Sequence, residues 1–257
     1  MNNHGSDIGA FSMSGRERMA GFDPERKIVY EDESILVVNK PAGLAVQTRR
    51  VIDDDLESAL RRYLGGTCSL YVVHRLDQPV EGLLVFAKTK KAAASLGRQL
   101  TDGRMHKIYR AKVDGTIPAE EGTLTDWLVH DARRNVTSVV DGKDVAAHGP
   151  AGTGDKARPG RRNTGGKNFS AHGARKAVLT YRRISDDEVE IELQTGRPHQ
   201  IRAQLAHAGM PIRGDQKYGN GTNKSRLCLS ACRLSFVHPV TGEKKTFMIK
   251  PFAEDDG

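Results

Sequence analysis

The chain has 257 residues, of which 40 are lysine or arginine and 32 are aspartate or glutamate, so its net charge is +8. This length allows one large domain or two small lobes, and the positive charge favours a polyanionic partner such as nucleic acid over a merely well-solvated surface. The sequence has no apolar run that could span a membrane and no secretory signal, so we expect a cytoplasmic protein with no membrane partner.

The N-terminal half contains hairpin and helix signals after a polar start. Residues 1–25 lack periodicity, which predicts a disordered tail. Alternating apolar residues predict a β-hairpin over residues 27–38, which ends at a Pro/Gly turn. Helical spacing then predicts a helix over residues 55–64, closed by a glycine pair.

Two apolar runs, residues 70–73 and 83–87, predict strands on either side of a loop that contains Asp77. Thr89 is a suitable N-cap for a helix over residues 90–100. The next predicted strand covers residues 106–115, and its alternation puts Tyr109 on one side and its neighbours on the other.

Residues 142–176 form a basic, glycine-rich insert. They include 8 glycines and 8 lysines or arginines but only two aspartates. An insert of this length within a compact domain is either functional or disordered. We expect a mobile loop able to touch phosphates, and a tolerated surface insertion is the open alternative.

The C-terminal part contains more strands than helices. Strands are predicted at residues 177–181, 188–193, 227–236 and 245–249. Pro198 is placed as the first residue of a helix that ends at Gly209. Many strands joined by hairpin-length turns predict an α+β fold with a mixed, mainly antiparallel sheet and few helices.

Asp77 lies two residues after Arg75 in the loop between two predicted strands. An arginine near an aspartate keeps the acid ionised, so that it can act as a nucleophile or base. An ordinary surface ion pair would give the same pattern.

Two further groups suit contact with RNA or DNA. Tyr109 is flanked by Lys107 and Arg110, and an aromatic ring among cations is typical of a platform on which a base stacks beside the phosphates. A single tyrosine is, however, more often a core residue. Arg197 precedes a helix start that favours negative charge, and it could reach a carboxylate with two hydrogen bonds.

The sequence predicts no metal site. His199 is interpreted as a structural hydrogen-bond donor, because no second ligand lies at a fitting spacing. The three cysteines complete no zinc set and are expected to be reduced thiols. The segment 209–219, rich in glycine and proline, is interpreted as a rigid connection.

Five motifs occur in the order seen in the RluA-type RNA pseudouridine synthases, and the chain resembles that family from about residue 27 to about residue 252. The motifs are NKPAG at 39–43, HRLD at 74–77, KIYRA at 107–111, TGRPHQIR at 195–202 and GDQKYG at 214–219.

The resemblance implies two half-domains around a central cleft, with residues 26–253 as one catalytic domain. It implies isomerisation of uridine to pseudouridine in structured RNA, either ribosomal or transfer RNA, without metal or cofactor, and we expect a monomer. Asp77 would be the catalytic acid, Tyr109 the ring that packs on the flipped base, and Arg197 the salt-bridge partner of Asp77. Whether Asp77 attacks C1′, attacks C6 or removes a sugar proton stays open.

The remaining site residues are expected to bind RNA. Arg75 resembles the family arginine that enters the RNA stack where the base has left. Basic side chains expected to hold flanking phosphates are Lys40, Lys107 and Arg110. His199 and Arg202 complete the expected RNA contacts.

The chain departs from the family pattern in two places. Glu81 adds a second carboxylate near Asp77, where many relatives have an uncharged residue. We expect the frequent N-terminal S4 RNA-binding domain to be missing, because too few residues precede the first strand, which leaves the basic insert as a candidate replacement.

Two other hypotheses come from different classes. A noncatalytic RNA-binding or ribosome-assembly protein on the same scaffold would explain the charge but not the Asp77, Tyr109 and Arg197 set. A glycosidase with Asp77 and Glu81 as paired carboxylates would release free base.

Overall fold

The computed structural model of the protein describes residues 22–48, 55–66, 68–142, 173–219 and 225–252. Most of the expected tail and of the expected basic insert, residues 1–21 and 143–172, lie outside the described residues.

Strands outnumber helices in the described ranges. The strands are β1 (Ile28–Glu31), β2 (Ile35–Lys40), β3 (Tyr71–Val72), β4 (Glu81–Ala87), β5 (His106–Lys112), β6 (Glu121–Asp131), β7 (Val136–Val140), β8 (Arg175–Ser185), β9 (Glu188–Leu193), β10 (Leu229–Val237) and β11 (Lys244–Met248). The helices are α1 (Pro24–Lys27), α2 (Leu56–Tyr63), α3 (Lys90–Thr101) and α4 (Gln200–His207). None of these helices has the length and apolar composition that crossing a bilayer requires.

The described strands form a single sheet in the order β1-β2-β4-β10-β5-β9-β8-β6-β7, with β3 beside β4 and β11 beside β10. β4 and β10 run parallel, and every other described pair is antiparallel. The predicted α+β fold with a mixed, mainly antiparallel sheet is therefore confirmed.

The sheet is buried on both faces in its β2–β4 region. Leu84 and Phe86 of β4 pack with α2 in one apolar cluster, while Leu83 and Val85 pack with α3 in a second cluster. A strand covered on both faces reads as a continuous apolar run, which is why β4 was recognisable from sequence. Thr89 is the N-cap of α3 as predicted, and Asp55, the first residue of the predicted helix over residues 55–64, is the N-cap of α2.

Two elements differ from the sequence prediction. Helix α4 begins at Gln200 and has His199 as its N-cap, so Pro198 is not its first residue. The β6–β7 hairpin was not predicted, because β6 is mostly half-buried and shows no clear apolar alternation. In addition, the expected insert ends earlier than predicted, since β8 begins at Arg175.

Candidate active site

The loop between β3 and β4 presents Asp77 to a cleft of about 1610 Å³. His74 and Leu76 are buried, Arg75 is exposed, and the Asp77 side chain keeps 30% of its surface accessible. The backbone N–H of Val80 donates to the Asp77 carbonyl at 3.0 Å, which closes the turn after the acid. Anchoring by alternate buried residues fixes where the carboxylate points.

His74 anchors this loop from below. Its Nε2 accepts from the backbone N–H of Val85 at 3.3 Å, whereas its buried Nδ1 has no hydrogen-bond partner in the described structure. Burial, together with the nearby charge of Lys107, lowers the pKa of His74 to about 3. The imidazole is therefore neutral at pH 7.

Lys40 ties the Asp77 loop to the Pro/Gly turn after β2. The completely buried ammonium donates to the carbonyls of Pro41, Leu44 and Gln78 at 2.8, 2.7 and 3.0 Å. Burial lowers the pKa of Lys40 to about 7, and the charge of Asp77 opposes that shift. The expectation that Lys40 holds an RNA phosphate is wrong, because no surface of this side chain reaches the cleft.

Two cationic or polar groups of the α4 start face the same oxygen of Asp77. Arg202 Nη1 lies 3.7 Å from Asp77 Oδ2, and His199 Nε2 lies 3.8 Å from it. Arg202 is buried and donates two further hydrogen bonds to Asp215, from Nε to Oδ2 at 2.8 Å and from Nη2 to Oδ1 at 2.7 Å. Although burial opposes it, the hydrogen bonds and charge of Asp215 raise the pKa of Arg202.

This arrangement corrects two expectations. The structure does not pair Arg197 with Asp77, since Arg197 Nε donates to the Lys176 carbonyl at 3.2 Å and its backbone N–H to Gln200. Arg202 takes that position instead, held by two carboxylates and too deeply buried for a direct phosphate contact. Arg197 lines the rim of the cleft.

Alternate residues of β5 face the cleft. Tyr109 is 5% exposed, and its burial, with the nearby charge of Asp77, raises its pKa. Lys107 lines the same wall, and burial lowers its pKa. Arg110 lies on the other face of the strand and pairs with Glu188 at 2.9 Å, so the expectation that it contacts RNA in the cleft is wrong.

Glu81 does not form a second acid in the cleft. It is buried in β4, pairs with Arg226, and accepts from the Phe252 backbone N–H at 2.9 Å. Because Glu81 is absent from the cleft lining, the structure does not bring Asp77 and Glu81 together there as the paired carboxylates of the glycosidase hypothesis. Across the described residues, no group of three or more His, Cys, Asp or Glu side chains is arranged to hold a metal ion.

Three residues that support the site were given no individual role from sequence: Asp215, Tyr218 and Thr137. Asp215 and Tyr218 lie in the segment interpreted as a rigid connection, and Thr137 lies in the unpredicted hairpin. The Tyr218 hydroxyl contacts His199 Nδ1 at 2.6 Å, and the Tyr218 ring lies 5.1 Å from the Arg202 guanidinium. For Asp215 and Tyr218, the available signal was a loop segment in which polar residues lie between glycines.

Comparison with known proteins gives one consistent family. A family model described as RNA pseudouridylate synthase matches residues 34–207. The chain is 34% identical over 229 residues to the uncharacterized RNA pseudouridine synthase YhcT of Bacillus subtilis, covering 85% of this chain and 66% of that protein. It is 33% identical over 233 residues to the dual-specificity RNA pseudouridine synthase RluA of Vibrio vulnificus, covering 88% and 84%.

A ribosomal large subunit pseudouridine synthase D from Zymomonas mobilis is 31% identical, with 86% of this chain and 68% of that protein covered. The chain thus spans about two thirds of the length of several relatives. Among solved structures, human RNA pseudouridylate synthase domain containing 1 superposes with a TM-score of 0.65 at 22% identity, covering 87% of this chain and 82% of that chain, which supports the fold.

Proposed function

Because this chain belongs to the RNA pseudouridylate synthase family, we propose that it is an isomerase that converts selected uridines of structured RNA to pseudouridine. The observation that carries this proposal is the position of Asp77. Its carboxylate is partly exposed in the cleft, with Arg202 and His199 beside one oxygen and Tyr109 in the wall of the same cleft.

Each residue of the site has a proposed task. A paired or stacked uridine must be flipped out, which costs a few kcal/mol, and stacking on Tyr109 offsets roughly 1–3 kcal/mol of that cost. Arg202 holds the Asp77 carboxylate in place, and the exposed Arg75 occupies the space that the base leaves in the RNA. Lys107 and Arg197 at the cleft wall and rim are suited to flanking phosphates.

The reaction is an isomerisation without net gain or loss of atoms. Asp77 assists in breaking the C1′–N1 bond, the detached uracil rotates within the cleft, and C5 bonds to C1′. The proton on C5 is released and N1 gains one. No oxidant, reductant or transferred group is required.

Ribosomal RNA is the substrate class that we favour, because several relatives carry names of ribosomal large subunit pseudouridine synthases. Transfer RNA is the second candidate. We further propose that residues 26–253 act as one catalytic domain in a cytoplasmic monomer.

The deciding experiment is pseudouridine mapping across total RNA from cells without the gene, complemented with wild type, Asp77→Asn or Asp186→Asn. Asp77→Asn should lower product formation by at least about 10²–10⁴-fold, because it removes the reacting carboxylate, while RNA binding is retained. Asp186, an exposed partner of Arg183 outside the cleft, is the matched control and should behave as wild type.

Two outcomes would overturn the proposal. Unchanged product with Asp77→Asn would remove Asp77 from the reaction. Tight RNA binding by the wild-type protein with no product on any cellular RNA would favour the noncatalytic binding protein instead.

A further inference from the structure

His199 occupies an unusual backbone position for a histidine. It is the N-cap of α4, its φ is 51° in the left-handed region, and its side chain makes no capping hydrogen bond. N-caps are usually extended Ser, Thr, Asp or Asn residues that bond to the helix start. Non-glycine residues held in the left-handed region are concentrated at functional sites, and here the buried imidazole faces the cleft.

The Tyr218 hydroxyl decides which nitrogen of His199 carries a proton. This hydroxyl accepts from the Thr137 backbone N–H at 2.8 Å and lies 2.6 Å from His199 Nδ1. Because the Thr137 backbone N–H already donates to this oxygen, we take Nδ1 as the acceptor of the hydroxyl proton. Burial lowers the pKa of His199, so the neutral imidazole carries its single proton on Nε2.

The nitrogen that carries this proton, His199 Nε2, lies near Asp77. Its distance to Oδ2 is 3.8 Å, next to the 3.7 Å approach of Arg202 Nη1 to the same oxygen. Catalytic hydrogen bonds are often this long in a substrate-free site and tighten in the complex with substrate. Tyr218 supports both donors, because its hydroxyl contacts His199 and its ring lies 5.1 Å from the Arg202 guanidinium.

We propose that His199 is a positioning residue for Asp77. The Nε2–H of His199 acts with Arg202 Nη1 to hold Oδ2 of Asp77, so that Oδ1 of Asp77 is presented to the flipped nucleotide. Tyr218 and Thr137 fix the tautomer that makes this possible. The inference rests on the proposed function and deepens it, because it assigns different tasks to the two oxygens of the same carboxylate.

The test compares His199→Asn with His199→Gln. Asparagine tolerates the left-handed backbone, and its amide oxygen can accept from Tyr218 at the place of Nδ1, but it ends short of Asp77. Glutamine extends to the place of Nε2 and offers an N–H there. Steady-state kinetics on an RNA substrate found by mapping, RNA binding and thermal denaturation are measured for both variants and for the wild type.

We expect His199→Asn to lower kcat by about 10–100-fold with KM and RNA affinity within about 2-fold of wild type, because the contact acts on the reacting acid and not on RNA binding. His199→Gln should recover most of kcat. Tyr218→Phe, which frees the tautomer of His199, should lower kcat in the wild-type background but add little to His199→Asn.

Several results would overturn the inference. These are wild-type kcat in a folded His199→Asn variant, a raised KM with unchanged kcat, or a glutamine variant that is folded yet no better than asparagine. A wild-type protein that forms no pseudouridine would overturn the proposed function and this inference with it, whereas an active wild type and an equally active His199→Asn variant would overturn this inference alone.

Discussion

At the scale of single residues, the site depends on one guanidinium shared by two carboxylates. Arg202 makes two hydrogen bonds to Asp215, whose side chain is fully buried, and approaches Asp77 with its remaining nitrogen. A planar group with donors in a fixed fork can satisfy both acids at once, which a lysine ammonium cannot do. The orientation of Asp77 therefore depends on the contact between Arg202 and Asp215, which does not involve Asp77 itself.

Replacing each of the two arginines near the start of α4 by lysine should affect kcat differently. Arg202→Lys should lower kcat by about 10–100-fold and cost about 1–3 kcal/mol in the free energy of unfolding, because Asp215 loses a partner in a buried site. Arg197→Lys, the matched control, should keep kcat near wild type because Arg197 does not contact Asp77.

Single-turnover kinetics and urea denaturation of both variants check this prediction. A larger loss of kcat for Arg197→Lys than for Arg202→Lys would restore the pairing expected from the sequence and contradict the structural assignment.

At the scale of elements, the fold depends on a short parallel contact between β4 and β10. Only two residue pairs form it, Glu81 with Ser230 and Gly82 with Ala231, and it joins the two antiparallel parts of the described sheet. Gly82 has a φ of 127°, and a Cβ placed on it would lie 2.5 Å from the Ala231 carbonyl oxygen. The glycine therefore permits the close approach of two backbones directly after the Asp77 loop.

Gly82→Ala should destabilise the protein by at least about 3 kcal/mol, since both the backbone conformation and the contact with β10 oppose a methyl group. Gly97→Ala in the middle of α3 is the control, because no atom lies within 4 Å of the added Cβ. It should stabilise the protein by about 0.5–1 kcal/mol. Equal melting temperatures for the two variants in thermal denaturation would contradict the role assigned to Gly82.

At the scale of the whole molecule, the excess of positive charge is most important for RNA binding where the cleft opens to solvent. The exposed Arg75 and the rim residue Arg197 line the cleft, whereas many other charged side chains, such as Arg110 and Arg182, are paired with glutamates elsewhere. Net charge favours association with RNA in general, and the position of unpaired cations selects the surface used.

RNA binding should weaken with salt in a way that depends on Arg75. If about four phosphates are contacted, affinity should fall about 100-fold between 50 and 200 mM salt. Arg75→Gln should weaken binding and reduce the slope of log affinity against log salt by about 1, if the guanidinium contacts a phosphate as it enters the RNA. Arg182→Gln, outside the cleft, should leave the slope unchanged in fluorescence anisotropy titrations, and equal slopes for wild type and Arg75→Gln would exclude Arg75 from phosphate contact.

Local sequence signals predict most of the described helices and strands and the loop that carries Asp77. The cap at Thr89, the helical spacing over residues 55–64 and the apolar run of β4 are local signals, because helix and strand periods and capping bonds involve residues close in the chain. The predicted alternation of side chains along β5 correctly separated Tyr109 from Arg110.

Which cations serve the site depends on contacts between residues far apart in the chain. Lys40 is enclosed by carbonyls that include Gln78, 38 positions away, and the Thr137–Tyr218 contact joins residues 81 positions apart. Such long-range contacts depend on which strands pair and on how deeply each side chain is buried. A local sequence pattern gives information on neither strand pairing nor burial. For that reason the sequence motif around α4 shows two candidate arginines, Arg197 and Arg202, but does not indicate which one faces Asp77. The structure shows that it is Arg202, which Asp215 holds in place.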